Sequence, residues 1–262
     1  MGDLALLRNR LSELDRVVVA FSGGVDSALL GWVAFDTLGA ERMLAVTAVS
    51  PSLAPSERDG CRRHAEQWGW RWREVATDEE TRPAYVANGA DRCYHCKTAL
   101  MEGLLPLARA ESATVVLGVN VDDLGDHRPG QRAAAEHGAV FPLVEAGYTK
   151  ADIRDEARRA GLDVWDKPAA ACLSSRVPYG TPVTMTTLSR VAAAEEGLRR
   201  LGFREIRVRH YGDVARVELG VGELTRAVEQ RLDVVAAVRA AGYRYVTLDL
   251  EGLRSGNLNQ AL

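Results

Sequence analysis

Six consecutive residues, Ser22-Gly23-Gly24-Val25-Asp26-Ser27, have the composition of a phosphate cradle. Two glycines let the backbone N–H groups turn toward an anion without interference from a Cβ. The apolar run at residues 17–21 reads as a strand buried on both faces, and residues 27–38 read as a helix. The turn therefore opens a helix, whose N-terminus adds partial positive charge. Ser22 and Ser27 supply hydroxyls for phosphate oxygens. Asp26 would repel a bare phosphate, so its natural task is to hold a Mg²⁺ that bridges the phosphates. The pattern GxxxxGK[ST] is absent and no lysine follows the turn, so the loop need not serve transfer of a terminal phosphate.

A second chemistry lies in the cysteines. Cys93 and Cys96, in Asp91-Arg92-Cys93-Tyr94-His95-Cys96-Lys97, open a helix with both sulfurs on one face. The helix start and Lys97 both favour thiolates. Cys172 stands in Lys167-Pro168-Ala169-Ala170-Ala171-Cys172-Leu173-Ser174-Ser175-Arg176, a small-residue loop flanked by cations. Two core cysteines or half a zinc site are the plain alternatives for the pair. A complete zinc site wants a fourth ligand, and His95 lies inside the CxxC spacing and points elsewhere. Three thiolates suit a [4Fe–4S] cluster with one iron left for a hydrosulfide. Cys61 has no paired spacing and reads as buried packing.

Lys97, Lys150 and Lys167 are the only lysines among 33 basic residues. Genomic codon bias accounts for the ratio. A lysine that persists under such bias marks a place where a compact ammonium is needed and a planar guanidinium does not substitute. Lys97 and Lys167 stand beside the cysteine motifs.

The elements that must position these residues follow from periodicity. Strands are expected at residues 17–21, 43–49, 71–75 and 114–119, and helices at 4–14, 27–38, 56–68, 93–110 and 149–161. Their alternation predicts an α/β fold with a doubly wound parallel sheet. After Gly180 the pattern changes. A helix at 186–201, a hairpin of 205–210 and 214–219 around Tyr211-Gly212-Asp213, a helix at 223–240 and a strand at 245–250 predict a smaller α+β domain. The Pro/Gly-rich stretch 177–182 divides the chain into domains 1–180 and 181–262.

Composition sets the outer bounds. Apolar residues at 47%, charged residues at 26% and a net charge of −3 are ordinary for a globular chain, and exclude disorder and a disulfide scaffold. No apolar run reaches bilayer length, the charged start is not a signal peptide, and a cytoplasmic protein is expected. The near-balanced charge argues against extended nucleic-acid binding. Arg199, Arg200, Arg204, Arg207 and Arg209 crowd one segment, either as a solvated face or as an anion site or subunit contact.

The run at 22–27 resembles the SGGxDS signature of the PP-loop ATP pyrophosphatases. That resemblance implies cleavage of ATP between its α and β phosphates and adenylation of a carboxylate or carbonyl oxygen. It implies an adenine site at the strand ends 19–21, 48–50 and 118–120, including Ser50 and Gly118. The runs GVNVDDLGDHRPG (118–130), WDKPAAACLSSRVPYGTPVT (165–184) and YVTLDLEGLRSGNLN (245–259) resemble, more narrowly, the LarE family of sulfur transferases. The likeness covers nearly the whole chain. It implies a pyridinium dicarboxylate mononucleotide as substrate, whose carboxylates are adenylated and become thiocarboxylates for the nickel-pincer nucleotide.

In that family the position of Cys172 is the sulfur centre. Some members sacrifice that sulfur, and the three-cysteine kind, which this chain resembles, is thought to carry a [4Fe–4S] cluster. The resemblance further implies Lys97, Lys167 or Arg176 against the pyrophosphate, and Asp126, Arg128 and Arg176 toward the nucleotide or substrate phosphate. For the two arginines a structural salt bridge is the alternative. His127 stands where tyrosine is expected. Glu195 and Arg207 are placed at an anion or metal site between the subunits of a homo-oligomer, a trimer or hexamer. The sulfur donor is left open. The rival readings are a tRNA thiolase of the same superfamily, a nucleotide sensor without catalysis, and an amide ligase that needs no thiol.

Overall fold

The computed structural model describes residues 2–125, 129–168 and 171–254. The first half of the chain runs α1 (Leu4–Leu14), β1 (Val17–Ala20), α2 (Val25–Leu38), β2 (Met43–Val49), α3 (Pro55–Gln67), β3 (Trp72–Ala76), α4 (Pro83–Val86), α5 (Arg92–Ala110) and β4 (Thr114–Leu117). It continues through α6 (Pro129–Glu136), α7 (Pro142–Glu145), α8 (Lys150–Arg159), α9 (Met185–Arg200), β5 (Ile206–Tyr211), β6 (Val214–Leu219), α10 (Leu224–Glu229), α11 (Arg231–Ala240) and β7 (Tyr245–Leu248). The chain divides into two compact units. The first comprises Met1–Ser50, Pro55–Glu79 and Cys93–Ala170, and the second Pro51–Ala54, Glu80–Arg92 and Ala171–Leu262.

The first unit is built on a parallel sheet of order β3-β2-β1-β4, the doubly wound arrangement expected from the alternation of elements. β1 is central because its apolar residues are wanted on both faces. Val17 and Val19 enter one core with Leu7, Leu11, Leu29, Leu30 and Ile153. Val18 points the other way, to Met101, Leu104 and Val115. Helices cover both faces, as a sheet of parallel strands requires. Phe21 ends this run and donates its N–H to the Val46 carbonyl at 2.8 Å, so the backbone leaves the sheet fixed in register at the cradle.

The second unit holds a three-stranded sheet of order β5-β6-β7. β5 and β6 are antiparallel, and Tyr211 faces Val214 across the two-residue turn Gly212-Asp213, with Gly212 at φ 63°. β7 lies parallel to β6. Alternate residues of β5, Ile206 and Val208, join Leu198, Val217, Val234 and Val238 in the core. Arg207 and Arg209 take the opposite face. Where one helix was expected at 223–240, the chain forms α10 and α11, broken at Gln230 (φ −90°, ψ 22°). No Gly or Pro stands between residues 224 and 240 to announce that break. Among the described residues no helix is long and apolar enough to cross a membrane.

Candidate active site

The turn between β1 and α2 is where the sequence expects it. Gly23 has φ 71°, a left-handed conformation that disfavours any residue with a Cβ. Gly24 caps α2 with extended backbone (φ −82°, ψ 160°), and Val25, Asp26 and Ser27 form its first turn. The Ser22 N–H donates to Ser27 Oγ at 3.2 Å, and Ser27 Oγ donates to the Gly24 carbonyl at 3.0 Å. The two serine hydroxyls are 3.2 Å apart. Ser22, Gly23, Gly24, Asp26 and Ser27 are thus gathered at one helix start.

Three groups brace the turn from outside. Lys167 Nζ donates to the Gly23 carbonyl at 3.0 Å and to Glu57 Oε2 at 2.7 Å. Cys61, fully buried on α3, lies beneath it, and a Cβ on Gly23 would come within 2.9 Å of its sulfur. Burial pushes the Cys61 thiol above its ordinary value, although Lys167 acts in the other direction. Cys61 therefore packs, as expected, and what it packs against is the cradle. Gly118, after β4, approaches closest, since a Cβ there would lie 2.8 Å from Ser27 N and 2.9 Å from Asp26 C. Only hydrogen fits between these two backbones.

Asp26 is engaged through both carboxylate oxygens. Asn120, buried just beyond β4, donates from Nδ2 to Oδ1 at 3.1 Å. Lys150 Nζ forms an ion pair with Oδ2. Lys150 is the first residue of α8, whose start is fixed by a capping box between Thr149 and Asp152. Its backbone N–H donates to Asp122 Oδ2 at 2.8 Å. Sequence reasoning put Asn120 at a strand end of the adenine site rather than on Asp26, and missed Lys150 and Glu57 at this turn. The one signal for Lys150 was its being lysine at all.

Ser50, following β2, donates to Glu79 Oε1 at 2.5 Å, and Glu79 is buried. Cys93 is exposed and Cys96 half-buried, both in the first two turns of α5. Lys97 follows them. The start of α6 packs on this turn, because a Cβ on Gly130 would lie 3.0 Å from the Cys93 carbonyl and 3.5 Å from Lys97 Cβ. Asp126, His127 and Arg128 lie outside the described residues.

Cys172 belongs to the second unit. It is exposed, and residues 172–176 around it are held by a set of hydrogen bonds. The Cys172 carbonyl accepts the Ser175 N–H at 3.0 Å, Ser175 Oγ at 2.8 Å and Arg176 Nη1 at 3.2 Å. Leu173 N–H donates to the Ser52 carbonyl at 2.9 Å. Ser174 hydrogen-bonds through Oγ to Tyr85 at 2.5 Å, and its carbonyl accepts Arg92 Nη1 at 2.9 Å. Arg92 is held in turn by Asn88 Oδ1 at 2.6 Å, while Asn88 Nδ2 donates to the carbonyls of Pro178 and Thr181, each at 2.8 Å. Asn88, itself left-handed at φ 57°, staples the 178–181 turn.

Arg176 is buried. Its Nε donates to Glu195 Oε1 at 2.8 Å and its Nη1 to the Ala171 carbonyl at 2.8 Å. Beside this pair, Arg209 donates to Glu218 Oε1 at 3.0 Å and to the Ser175 carbonyl at 2.7 Å. Arg207 is also buried. Its Nη1 donates to the Arg254 carbonyl at 3.2 Å, and its buried Nε meets no acceptor among the described residues. Burial first, then Arg176 and Arg209, push the Arg207 guanidinium below its ordinary value. The segment of five arginines thus splits: Arg207 and Arg209 form a buried face, Arg199 and Arg200 lie at the end of α9, and Arg204 is exposed between them. Among the described residues no three His, Cys, Asp or Glu side chains gather as a metal-holding group.

A parallel α/β sheet with an SGGxDS turn at the end of its central strand defines the PP-loop class. The NAD synthase family matches residues 5–85, the stretch from α1 through β3 and just beyond. An uncharacterized protein of Synechocystis sp. is 46% identical over 98% of this chain and 96% of its own length. The pyridinium-3,5-bisthiocarboxylic acid mononucleotide synthase of Lactiplantibacillus plantarum is 38% identical over 98% of this chain and 94% of its own. An uncharacterized protein of Methanocaldococcus jannaschii is 26% identical over 96% of this chain and 97% of its own. The chain belongs to the LarE family within the PP-loop class, and it is an enzyme.

Proposed function

We propose that this enzyme is an ATP-dependent sulfur transferase. It adenylates the carboxylates of pyridinium-3,5-dicarboxylate mononucleotide and converts them to thiocarboxylates, for the nickel-pincer nucleotide cofactor. The observation that carries this reading is the full-length likeness to the L. plantarum synthase, together with a complete SGGxDS turn and an exposed cysteine on an anchored loop.

ATP is the first substrate. The N–H groups at the start of α2 and the hydroxyls of Ser22 and Ser27 cradle its phosphates, with Ser50 and Gly118 toward the adenine. Asp26 would hold Mg²⁺, which when bound would supply positive charge to the phosphate chain. The hard oxygen ligand Asp26, at the mouth of an anion cradle, fits that ion. Lys167 fixes the Gly23 carbonyl outward of the turn, so the neighbouring N–H groups stay aimed at the anion. Lys97 supplies a further ammonium to the pyrophosphate. The substrate carboxylate attacks the α-phosphorus and expels pyrophosphate. The acyl-adenylate that forms carries AMP as a good leaving group, and a sulfur nucleophile delivered at Cys172 displaces it.

Arg128 suits the substrate phosphate, and Arg207, whose Nε meets no acceptor among the described residues, suits an anion site at a subunit contact. Arg176 acts by holding the Cys172 loop. Cys93, Cys96 and Cys172 are three thiols of the type that hold a [4Fe–4S] cluster, which when bound would supply an iron able to carry hydrosulfide. On this reading residues 1–180 handle the nucleotide, and residues 181–262 assemble a trimer or hexamer.

The adenylating half-reaction is tested by exchange of labelled pyrophosphate into ATP. Exchange that appears only with the mononucleotide, and survives C172A, supports the reading; exchange with tRNA in its place moves the enzyme to the thiolases. Anaerobic iron and sulfide analysis tests the cluster. About four irons per chain, lost in C93A, C96A or C172A, support it. An iron-free protein that loses the mass of hydrogen sulfide on turnover makes Cys172 a sacrificial donor.

A further inference from the structure

The ion pair between Lys150 and Asp26 joins residues 124 positions apart and lies directly at the cradle. Three independent observations say that it is not merely structural. Lys150 is one of three lysines in a chain with 30 arginines, so a compact, mobile ammonium is kept where arginine is otherwise used. It occupies the first position of α8, where a cation faces the positive end of the helix dipole and is unfavourable. The pair is also half-open, with side chains 35% and 21% exposed, a setting in which an ion pair adds little to folding. Asp26, by contrast, sits in the first turn of α2, where its negative charge is favoured.

We propose that Lys150 is the counter-ion of Asp26 in the nucleotide-free enzyme, and that it turns to the phosphate chain once a divalent cation takes Asp26. The inference rests on the reading that the turn takes ATP and Mg²⁺. It gives Lys150 a counter-ion role at Asp26 that is distinct from the roles of Lys97 and Lys167. While the ammonium neutralises Asp26, the cradle presents no net repulsion to an arriving anion. When the metal displaces it, four flexible carbons let it follow the charge, which the planar fork of arginine does less well.

The two ligands of the cradle must then respond to loss of Lys150 in opposite senses. In K150M, Mn²⁺ alone should bind about fivefold more tightly, because its competitor for Asp26 is gone, and metal-free ATP about fivefold more weakly, because Asp26 is left bare. Mn²⁺ is followed by its free-ion EPR signal and ATP by equilibrium dialysis, so neither readout depends on turnover. K150R, which keeps the charge, should return both constants toward wild type. K150Q repeats the measurement should methionine lower the folded fraction. A fall in both affinities, or no change in either, overturns the proposal. Wild-type enzyme that binds no ATP at all overturns the reading of the turn itself, a result separable from the other two.

Discussion

Arg176 and Glu195 meet as a buried ion pair, Nε to Oε1 at 2.8 Å, with side chains 6% and 4% exposed. The same Glu195 oxygen accepts the Val208 N–H at 3.0 Å, so one carboxylate joins α9, β5 and the loop that carries Cys172. Five of the hydrogen bonds around this loop come from arginine side chains: three from Arg176 to Ala171, Cys172 and Ser175, one from Arg209 to Ser175 and one from Arg92 to Ser174. These bonds hold the backbone that carries the exposed thiol, as positioning a group that must meet an acyl carbon requires.

Removing one partner of the pair should be costly. R176M leaves Glu195 buried without a counter-charge, at about 3 kcal/mol. R176M/E195L should recover part of that loss. Urea denaturation of the single and double variants gives both values. An R176M protein as stable as wild type would show that the pair does not hold the loop.

Gly118 faces the cradle with no room to spare, its missing Cβ 2.8 Å from Ser27 N. The neighbour is backbone and cannot rotate aside. G118A should shift the first turn of α2, lowering stability by about 1–3 kcal/mol. ATP affinity should fall much further than stability. Equilibrium dialysis on protein shown by circular dichroism to be folded separates the two effects, and unchanged affinity would contradict the placement of this glycine.

The cysteines should divide by reactivity. Cys93 and Cys172 are exposed, whereas Cys61 is fully buried with its thiol pushed up by burial. Iodoacetamide at neutral pH should label Cys93 and Cys172 in native apoprotein and reach Cys61 only after unfolding. Peptide mass mapping reads this directly. Early labelling of Cys61 would mean that the floor of the cradle opens.

Acid should weaken the second unit through His210. Its Nδ1 lies 3.1 Å from the Tyr243 hydroxyl, and burial, with the nearby Arg190, lowers its pKa below the ordinary 6.5. Well above pH 6.5 the ring is neutral in both folded and unfolded chains, and stability is undiminished. As pH falls below that value the unfolded chain takes up the proton first, so stability drops. H210Q should flatten this slope in a series of urea titrations from pH 7 to pH 5. An unaltered slope would assign it to other groups.

The frame of the molecule was legible because local pattern governs it. Residues 17–19 had to be a central strand, since their apolar side chains are wanted on both faces. Thr149 announced the start of α8 through its capping box. Met43–Val49 and Val214–Leu219 fall where periodicity put them. β3 runs one residue later than expected, Trp72–Ala76, in register with β2, which pairs Ala45 with Trp72. The cradle was legible too, because a single turn makes it. What the sequence could not give is what the turn touches. The sheet order brings the loop after β4 beside β1, and Asp122 of that loop holds the start of α8, so Lys150 meets Asp26 without any local signal for it. Arg176 could be read as a phosphate grip or a salt bridge, and Glu195, 19 residues on, is what engages it. Asn88 and Arg92 gave no signal, since an amide that staples a distant turn has no spacing rule.

Sulfur transfer itself is measured most directly by single turnover. The enzyme, prepared without oxygen, is mixed with ATP, Mg²⁺, a sulfide source and pyridinium-3,5-dicarboxylate mononucleotide, and the nucleotide is weighed by mass spectrometry. Carboxylate oxygen should be exchanged for sulfur, with one AMP released for each sulfur gained. C172A should release pyrophosphate yet leave the substrate without sulfur. Sulfur incorporation undiminished in C172A, or AMP release with the substrate's oxygens intact in the wild type, would contradict sulfur transfer at Cys172.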